Sequence, residues 1–453
     1  MNAKAGVVRI VAGSLVVLAG VQCVHALPTY ASFALQARDA NAPIPAHNMD
    51  AECSLFAQSP DLDGPGHVAC RLFKPAGESL WLGAGDGTGG VIASGLPDYQ
   101  STLDIKAGLV ALSLAGGGLE VRDLAGALVT SYPTGGPEDI AKTAGVRLTS
   151  GDGVAYRSNN LGVHKLVIDR LAGPTRVQTV LLRNDGTYNF LFTPATNSTG
   201  QMGVAANRAD GGAEILRLAL GNPVETLAAI GSTYSGLADG LDINDAGQVA
   251  YFVELAATGQ FQLMLFDGAT SVRLAKPGDA GIVDGLGSEP PSINASGVVA
   301  FVARDVLGDA LYVADSSGVA RVIGDGDTVQ TDLGPLTLGF DTPIFGRRAL
   351  SGSVAINDSN QIAFNALLSN GTSAIFIAQP SSGPLCPADI DDGSGSGTPD
   401  GGIDISDLLY FLQQYDLGDV AADVDDGSGN GVPDGAVTID DLLFFLAHYE
   451  VGC

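Results

Sequence analysis

The chain has 453 residues, 45% of them hydrophobic and only 16% charged, with 62 glycines; this excludes a disordered chain and favours a turn-rich β protein of two or three domains. Its formal net charge of -28 argues against nucleic acid and anionic membranes as partners. A single tryptophan, Trp81, and only 6% aromatic residues count against a sugar cleft built from stacking rings.

Residues 1–26 read as a secretory signal. Lys4 and Arg9 form the charged region, residues 10–21 the apolar core, and Val24-His25-Ala26 a small-residue cleavage site. The apolar run is too short to span a membrane, and no second one follows. Gly20-Val21-Gln22 before Cys23 is a poor lipoprotein signal. The mature chain is therefore expected to have no transmembrane segment and to work outside the cell or on its surface. It keeps four cysteines, Cys53, Cys70, Cys386 and Cys453. An even number in a secreted chain suggests disulfides. Proximity favours Cys53 with Cys70 and Cys386 with Cys453, one of three pairings; the second would contribute roughly 4 kcal/mol on the chain-entropy model.

Residues 27–380 repeat one pattern. Its clearest copies are Ile243-Asn244-Asp-Ala-Gly247-Gln-Val-Ala250-Tyr251, Ile293-Asn294-Ala-Ser-Gly297-Val-Val-Ala300-Phe301 and Ile356-Asn357-Asp-Ser-Asn360-Gln-Ile-Ala363-Phe364. A weaker copy starts at Asn197, and fainter ones run through Gly66-His-Val-Ala69, Gly108-Leu-Val-Ala111 and Gly153-Val-Ala155. Asn and Gly at this spacing make a turn, because the Asn side chain bonds the backbone ahead and Gly accepts positive φ. The apolar run that follows is a buried strand, with Ala where sheets pack closely. Further strands are expected at 262–266, 310–314 and 374–378, and at 271–274 and 319–323. Three or four short strands at a period of about 40–60 residues make a propeller blade. The fold class is thus mainly β, a β-propeller-like domain of about seven blades, with six or eight as alternatives and a β-solenoid as runner-up. The copies also resemble the Asn-x-x-Gly-x-x-Ala-Phe tandem repeats of secreted bacterial proteins with interchangeable C-terminal anchors, a resemblance that brings no known activity.

Catalytic signals are sparse. His47, His67, His164 and His448 lack metal-ligand spacing, and no nucleophile elbow, phosphate loop or zinc-protease helix occurs. Asp242, Asp245 and Glu254 read as turn and surface residues, although a carboxylate pair split between blades is compatible with glycoside hydrolysis. Asp279 and Asp325-Gly-Asp327 read as plain turns. No catalytic residue is assigned.

Residues 386–453 hold fifteen Asp and Glu and no Lys or Arg. Carboxylates this dense need a hard cation among them, and a calcium loop takes ligands at positions 1, 3, 5, 7, 9 and 12 with Gly at 6. Asp389, Asp391, Asp400, Asp404 and Asp407 occupy positions 1, 3, 5, 9 and 12, with residues 392–399 looped out as an insertion. Asp423, Asp425, Asp434, Thr438 and Asp441 repeat the set 34 residues on, and Asp392 and Asp426 are additional candidates. A helix is expected after each loop, with Leu408, Phe411, Leu412 and Tyr415 on one face of the first and Leu442, Phe445, Leu446 and Tyr449 on one face of the second. Half an EF-hand used twice, ended by Gly452-Cys453, resembles a type I dockerin of the Gly-Cys-ending kind, apart from the Gly/Ser/Pro insertion. That resemblance implies a cohesin-like or cell-surface protein partner.

The expected organisation is a signal (1–26), a repeat domain (27–380) and a dockerin-like module (386–453) binding two calcium ions. The expected function is non-enzymatic binding or scaffolding: a glycan or protein ligand on the propeller, with attachment through the tail. The alternative is a dockerin-bearing, polysaccharide-active enzyme. A third expectation is a sorting tail processed near Gly452-Cys453.

Overall fold

The computed structural model describes residues 27–451 except 41–43, 56–57, 76, 97–98, 115–116, 136–137, 139–140, 151–152, 173–174, 343–345, 382–386, 392, 394, 398–402 and 430. The expected signal, Cys386, Cys453, Asp392 and Asp400 lie outside these residues. The described chain forms two compact units, Leu27–Gly383 and one beginning at Pro384.

The first unit is a seven-bladed β-propeller. Six blades are antiparallel sheets in chain order, and the seven repeat copies each lead into the second strand of a blade: Val68–Leu72, Leu109–Leu114, Gly153–Asn160, Met202–Arg208, Val249–Leu255, Val299–Arg304 and Ile362–Leu367. Even the faintest copies therefore count blades. Blade 4 is irregular, because its first strand is split into Tyr188–Leu191 and Ala195–Thr196. The last blade has only three strands from the C-terminal end of the repeat region, and the N-terminal strand Tyr30–Arg38 pairs with Ser373–Pro380 to complete it. Ring closure is thus non-local. Buried Arg38 helps to lock it through Asp332 (2.8 Å), at the tip of a hairpin formed by Thr328–Thr331 and Gly334–Thr337 between blades 6 and 7.

The turn chemistry is as the sequence implies, with an additional role for asparagine. Asn244 Oδ1 accepts the Gln248 N–H at 3.0 Å, and Gly247 donates to the Asn244 carbonyl with φ at 78°. In the last copy Asn360 takes that left-handed position, which Asn tolerates better than other side chains. The amide Nδ2 reaches sideways: Asn197 donates to the Asn244 carbonyl, Asn244 to that of Asn294, Asn294 to that of Asn357, and Asn357 to that of Asp63 (2.8–3.2 Å). A girdle of buried amides therefore links blades 4, 5, 6, 7 and 1. Asn357→Ala is expected to lower stability by about 2–3 kcal/mol, because buried carbonyls and N–H groups at the closing seam lose their partners; a denaturant midpoint within error of wild type would refute the latch.

Apolar faces of neighbouring blades interdigitate to form the core. Phe301 stacks on Tyr312 and Phe364 on Phe376, all fully buried. Trp81 is also fully buried, its Nε1 donating to the Asn48 carbonyl at 3.0 Å, so it is a core ring and not a sugar platform.

The second unit holds helices α1 (Ile405–Leu417) and α2 (Ile439–Val451). Phe411 and Phe445 stack at 3.9 Å and, with Ala388 and Ala422, form its buried centre. The expected helix faces are only partly inward. Leu412 and Leu446 are 41% and 38% exposed, and Leu409 and Leu443 are 61% and 59% exposed, because so small a core takes one full ring per helix.

Candidate functional site

The first strands of all seven blades surround a central cavity of about 600 Å³. One position in each blade faces it, recognisable because it pairs with the small residue of the repeat: Asp61 with Ala69, Asp104 with Ala111, Arg147 with Ala155, Ala195 with Gly203, Asp242 with Ala250, Ser292 with Ala300 and Ala355 with Ala363. This places Asp242 in the channel wall, which corrects its reading as a turn or surface residue. Asp245 does lie in an exposed turn. Asp279 bonds Lys276, while Asp325 and Asp327 pair with Arg347 and Arg321.

The channel acids hook each blade to the next. Asp61 Oδ2 accepts the Ile105 N–H at 3.0 Å, Asp104 the Leu148 N–H at 2.6 Å, and Asp242 the Ile293 N–H at 3.0 Å. Ser292 Oγ does the same for Ile356 at 3.2 Å. Arg147 is pinned by the Leu103 and Val146 carbonyls, with its Nε 3.7 Å from Asp104.

Three acids share this one guanidinium, and their ionisation reflects it. Burial, followed by the charge of Asp104, pushes Asp61 up to about 7 against the pull of Arg147 and two backbone N–H groups. Burial also raises Asp104 and Asp242, again opposed first by Arg147. Arg147 itself stays firmly protonated: burial works against its charge, but Asp104, Asp61 and Asp242 outweigh it. Perturbed groups gathered in a concave site are the usual mark of a functional centre. Among the described residues the lining contains no His, Cys, Trp, Tyr or Phe, so these offer no Ser–His or Cys–His nucleophile. Composition alone did not reveal this ring; the position two places before the turn Asn marks it in blades 4 to 7, as in Asp242-Ile-Asn244, whereas Asp61, Asp104 and Arg147 precede no Asn and carried no such signal.

The tail carboxylates fall into two near-identical sets. Asp389, Asp391, Asp407, Asp423, Asp425 and Asp441 are buried, while Asp404, Asp434, Thr438 and Asp426 are exposed. Asp407 Oδ1 accepts the N–H groups of Ile390 and Asp391, and Asp441 Oδ1 those of Val424 and Asp425. Asp404 caps α1 through the Ser406 N–H. Asp423 accepts the N–H groups of Asp434 and Gly435 at 3.1 and 2.7 Å, which folds the loop back at the turn assigned to positions 5 and 6. Asp426 merely accepts the Ser428 N–H.

The insertion does not simply loop out. Asp391 holds the N–H groups of Gly393, Gly395 and Gly397, and Asp425 those of Gly427, Gly429 and Gly431, all at 2.9–3.1 Å. These glycines have φ of 69–83°; alternating left-handed residues are what lets the backbone wrap one carboxylate. Among the described residues, no three acid, His or Cys side chains form a ready-made metal cluster. The donor set nevertheless fits a hard cation in chemistry: it is all oxygen and largely buried, with no Lys or Arg in the segment.

Cys53 and Cys70 do not form the expected bond. Both are free thiols in one hydrophobic cluster. Burial raises Cys70, with Cys53 adding to the effect, and the Cys53 sulfur is engaged by the Lys74 ammonium.

No protein-family model and no curated protein matches this chain. Among solved structures its fold is similar to that of a puromycin hydrolase (14% identity, 70% of this chain and 50% of that one, TM-score 0.50). A Mycobacterium tuberculosis puromycin-hydrolyzing peptidase is similar over 78% of this chain and 55% of its own (14% identity, TM-score 0.49). The β-propeller domain of the Pyrococcus furiosus Trilobed protease is covered over 94% of its length by 71% of this chain (12% identity, TM-score 0.45). The chain spans about half the length of the first two. The shared feature is the propeller.

Proposed function

We propose that the protein is a secreted, non-enzymatic binding protein. The propeller takes its ligand in the central channel, and the C-terminal module, folded around two calcium ions, attaches it to a cohesin-like or cell-surface partner. The observation that carries this reading is the set of six buried tail carboxylates in a segment without Lys or Arg. Buried charges of one sign are costly unless a counter-ion joins them. One ion would be held by Asp389, Asp391, Asp400, Asp404 and Asp407, the other by Asp423, Asp425, Asp434, Thr438 and Asp441; calcium would supply the positive charge the segment lacks. The exposed Leu409, Leu412, Leu443 and Leu446 would then be held in a fixed pair of faces for a protein partner. A calcium titration of the full chain, followed by calorimetry and far-UV circular dichroism with a magnesium control, tests this. Two sites and a gain of helix are expected; no heat and no change would reduce the tail to an acidic linker.

A second reading is a propeller enzyme acting on polysaccharide. It draws on one observation, a carboxyl protonated near neutrality (Asp61) beside a second acid (Asp104), the pair general acid–base catalysis needs. The absence of any aromatic ring from the lining weighs against a sugar substrate. Polysaccharide turnover that disappears in Asp61→Asn would replace the binding-only reading.

A further inference from the structure

The channel has a feature that its role in holding the blades together does not explain. Lys106, at the end of the first strand of blade 2, reaches Asp245 in the turn of blade 5, with Nζ 3.5 Å from Oδ2. These blades are not neighbours, so the lysine crosses the mouth of the channel. Asp245 is prepared for it, since its other oxygen accepts the Ser198 N–H of blade 4 at 2.7 Å. Both partners are about half exposed (44% and 49%). A pair of this kind contributes less than about 1 kcal/mol, so it can open without unfolding anything. The protein thus lays one of its own ammonium groups over the entrance.

Behind that entrance the ring is uneven. Asp61, Asp104 and Asp242 crowd around Arg147, whereas Ala195, Ser292 and Ala355 leave the rest of the ring open. Backbone N–H groups reach both oxygens of Asp61 and of Asp242 and one of Asp104, but these donors are neutral, and the carboxylates stay short of positive charge, one guanidinium being shared among three. Aspartates outnumber basic residues by six to three over the whole lining, which has no aromatic ring. An anion would meet net repulsion here, and a neutral sugar would find nothing to stack on. A small cation would supply the missing charge, and the open sector gives it room.

We propose that the channel is a binding site for a compact alkylammonium, a diamine or the side-chain amine of a lysine, held by Asp61, Asp104 and Asp242 and admitted when the Lys106–Asp245 pair opens. This rests on the binding reading of the propeller and names its ligand class. Binding brings a positive charge beside Asp61, which burial and Asp104 push up to about 7, so it releases protons to the buffer.

The test is calorimetry on the full, calcium-loaded chain at pH 7 with putrescine, and with Nα-acetyl-lysine amide as the stand-in for a peptide side chain, in two buffers of different ionisation enthalpy. Expected are one site, buffer-dependent heat from proton release, and at least tenfold weaker binding in Asp61→Asn and Asp242→Asn. Lys106→Met is expected to bind several-fold faster. Because loss of a blade hook can impair folding, Ala355→Lys provides an independent check: it removes neither an acid nor a hook, fills the open sector with a tethered ammonium, and should abolish binding. Putrescine binding that is indifferent to all these variants would place the amine on the acidic tail and overturn the proposal. So would equal binding of 1,4-butanediol, or no binding at all. None of those results touches the calcium-folded tail, whose own titration fails or succeeds separately.

Discussion

Asp407→Ala and Asp441→Ala are each expected to unfold the C-terminal module, with or without calcium, while the propeller keeps its own melting transition. Each aspartate is at most 1% exposed and ties a loop to the start of a helix. Asp441 accepts the N–H groups of Val424, Asp425 and Thr438 at 2.6–2.9 Å, and Asp407 those of Ile390, Asp391 and Asp404 at 2.7–2.9 Å. Removing either leaves three donors without partners, at about 1–3 kcal/mol apiece where they are buried. A module of this size, with two stacked rings at its centre, has only a few kcal/mol to lose. The same substitutions remove the position-12 ligand, so calcium should not rescue the fold. Asp440→Ala, one residue away and exposed, should shift stability by less than about 0.5 kcal/mol. Far-UV circular dichroism of the full chain reads the two helices directly. Helix retained in Asp441→Ala at saturating calcium would mean that the carboxylate is not what joins loop to helix.

The propeller was legible because its turns repeat. Asn244, Asn294 and Asn357 mark three blades plainly, and the fainter copies at Ala69, Ala111 and Ala155 mark three more because the small residue opposite the channel position is kept. The closure of the ring by Tyr30–Arg38 was not legible, since nothing local says that a strand at one end pairs with one at the other. The channel ring was missed for a related reason. Successive members of the set Asp61, Asp104, Arg147 and Asp242 lie 43, 43 and 95 residues apart, and only the propeller brings them face to face. In the tail, the carboxylate spacing located the loops and helices but gave no hint that the glycines of the insertion wrap Asp391 and Asp425. The Cys53–Cys70 pairing came from counting, which is blind to where the sulfurs point.

Raising the pH from 5 to 8 is expected to destabilise the propeller, and Asp61→Asn should remove much of that slope. Asp61 has its folded pKa raised above its unfolded one by burial and by Asp104. The folded state therefore binds the proton more tightly, so this group's contribution is fully present below about pH 4 and is lost as the pH rises through about 7. Asp104 and Asp242 shift in the same direction. The loss from Asp61 is of the order of 2–4 kcal/mol over this range at about 1.4 kcal/mol per pKa unit. His164 opposes this trend at the lower end of the range. Burial, followed by the charge of Arg157, lowers its pKa, while its Nδ1 accepts the Leu191 N–H. Its contribution is therefore present above about 6.5 and is lost as the pH falls. Melting followed across this range at saturating calcium should accordingly show greatest stability on the acid side of neutrality. The slope above pH 6 should flatten in Asp61→Asn, and the fall at low pH should weaken in His164→Gln. An Asp61→Asn profile parallel to wild type would mean that Asp61 is ionised throughout, and with it the release of protons on amine binding would have no source.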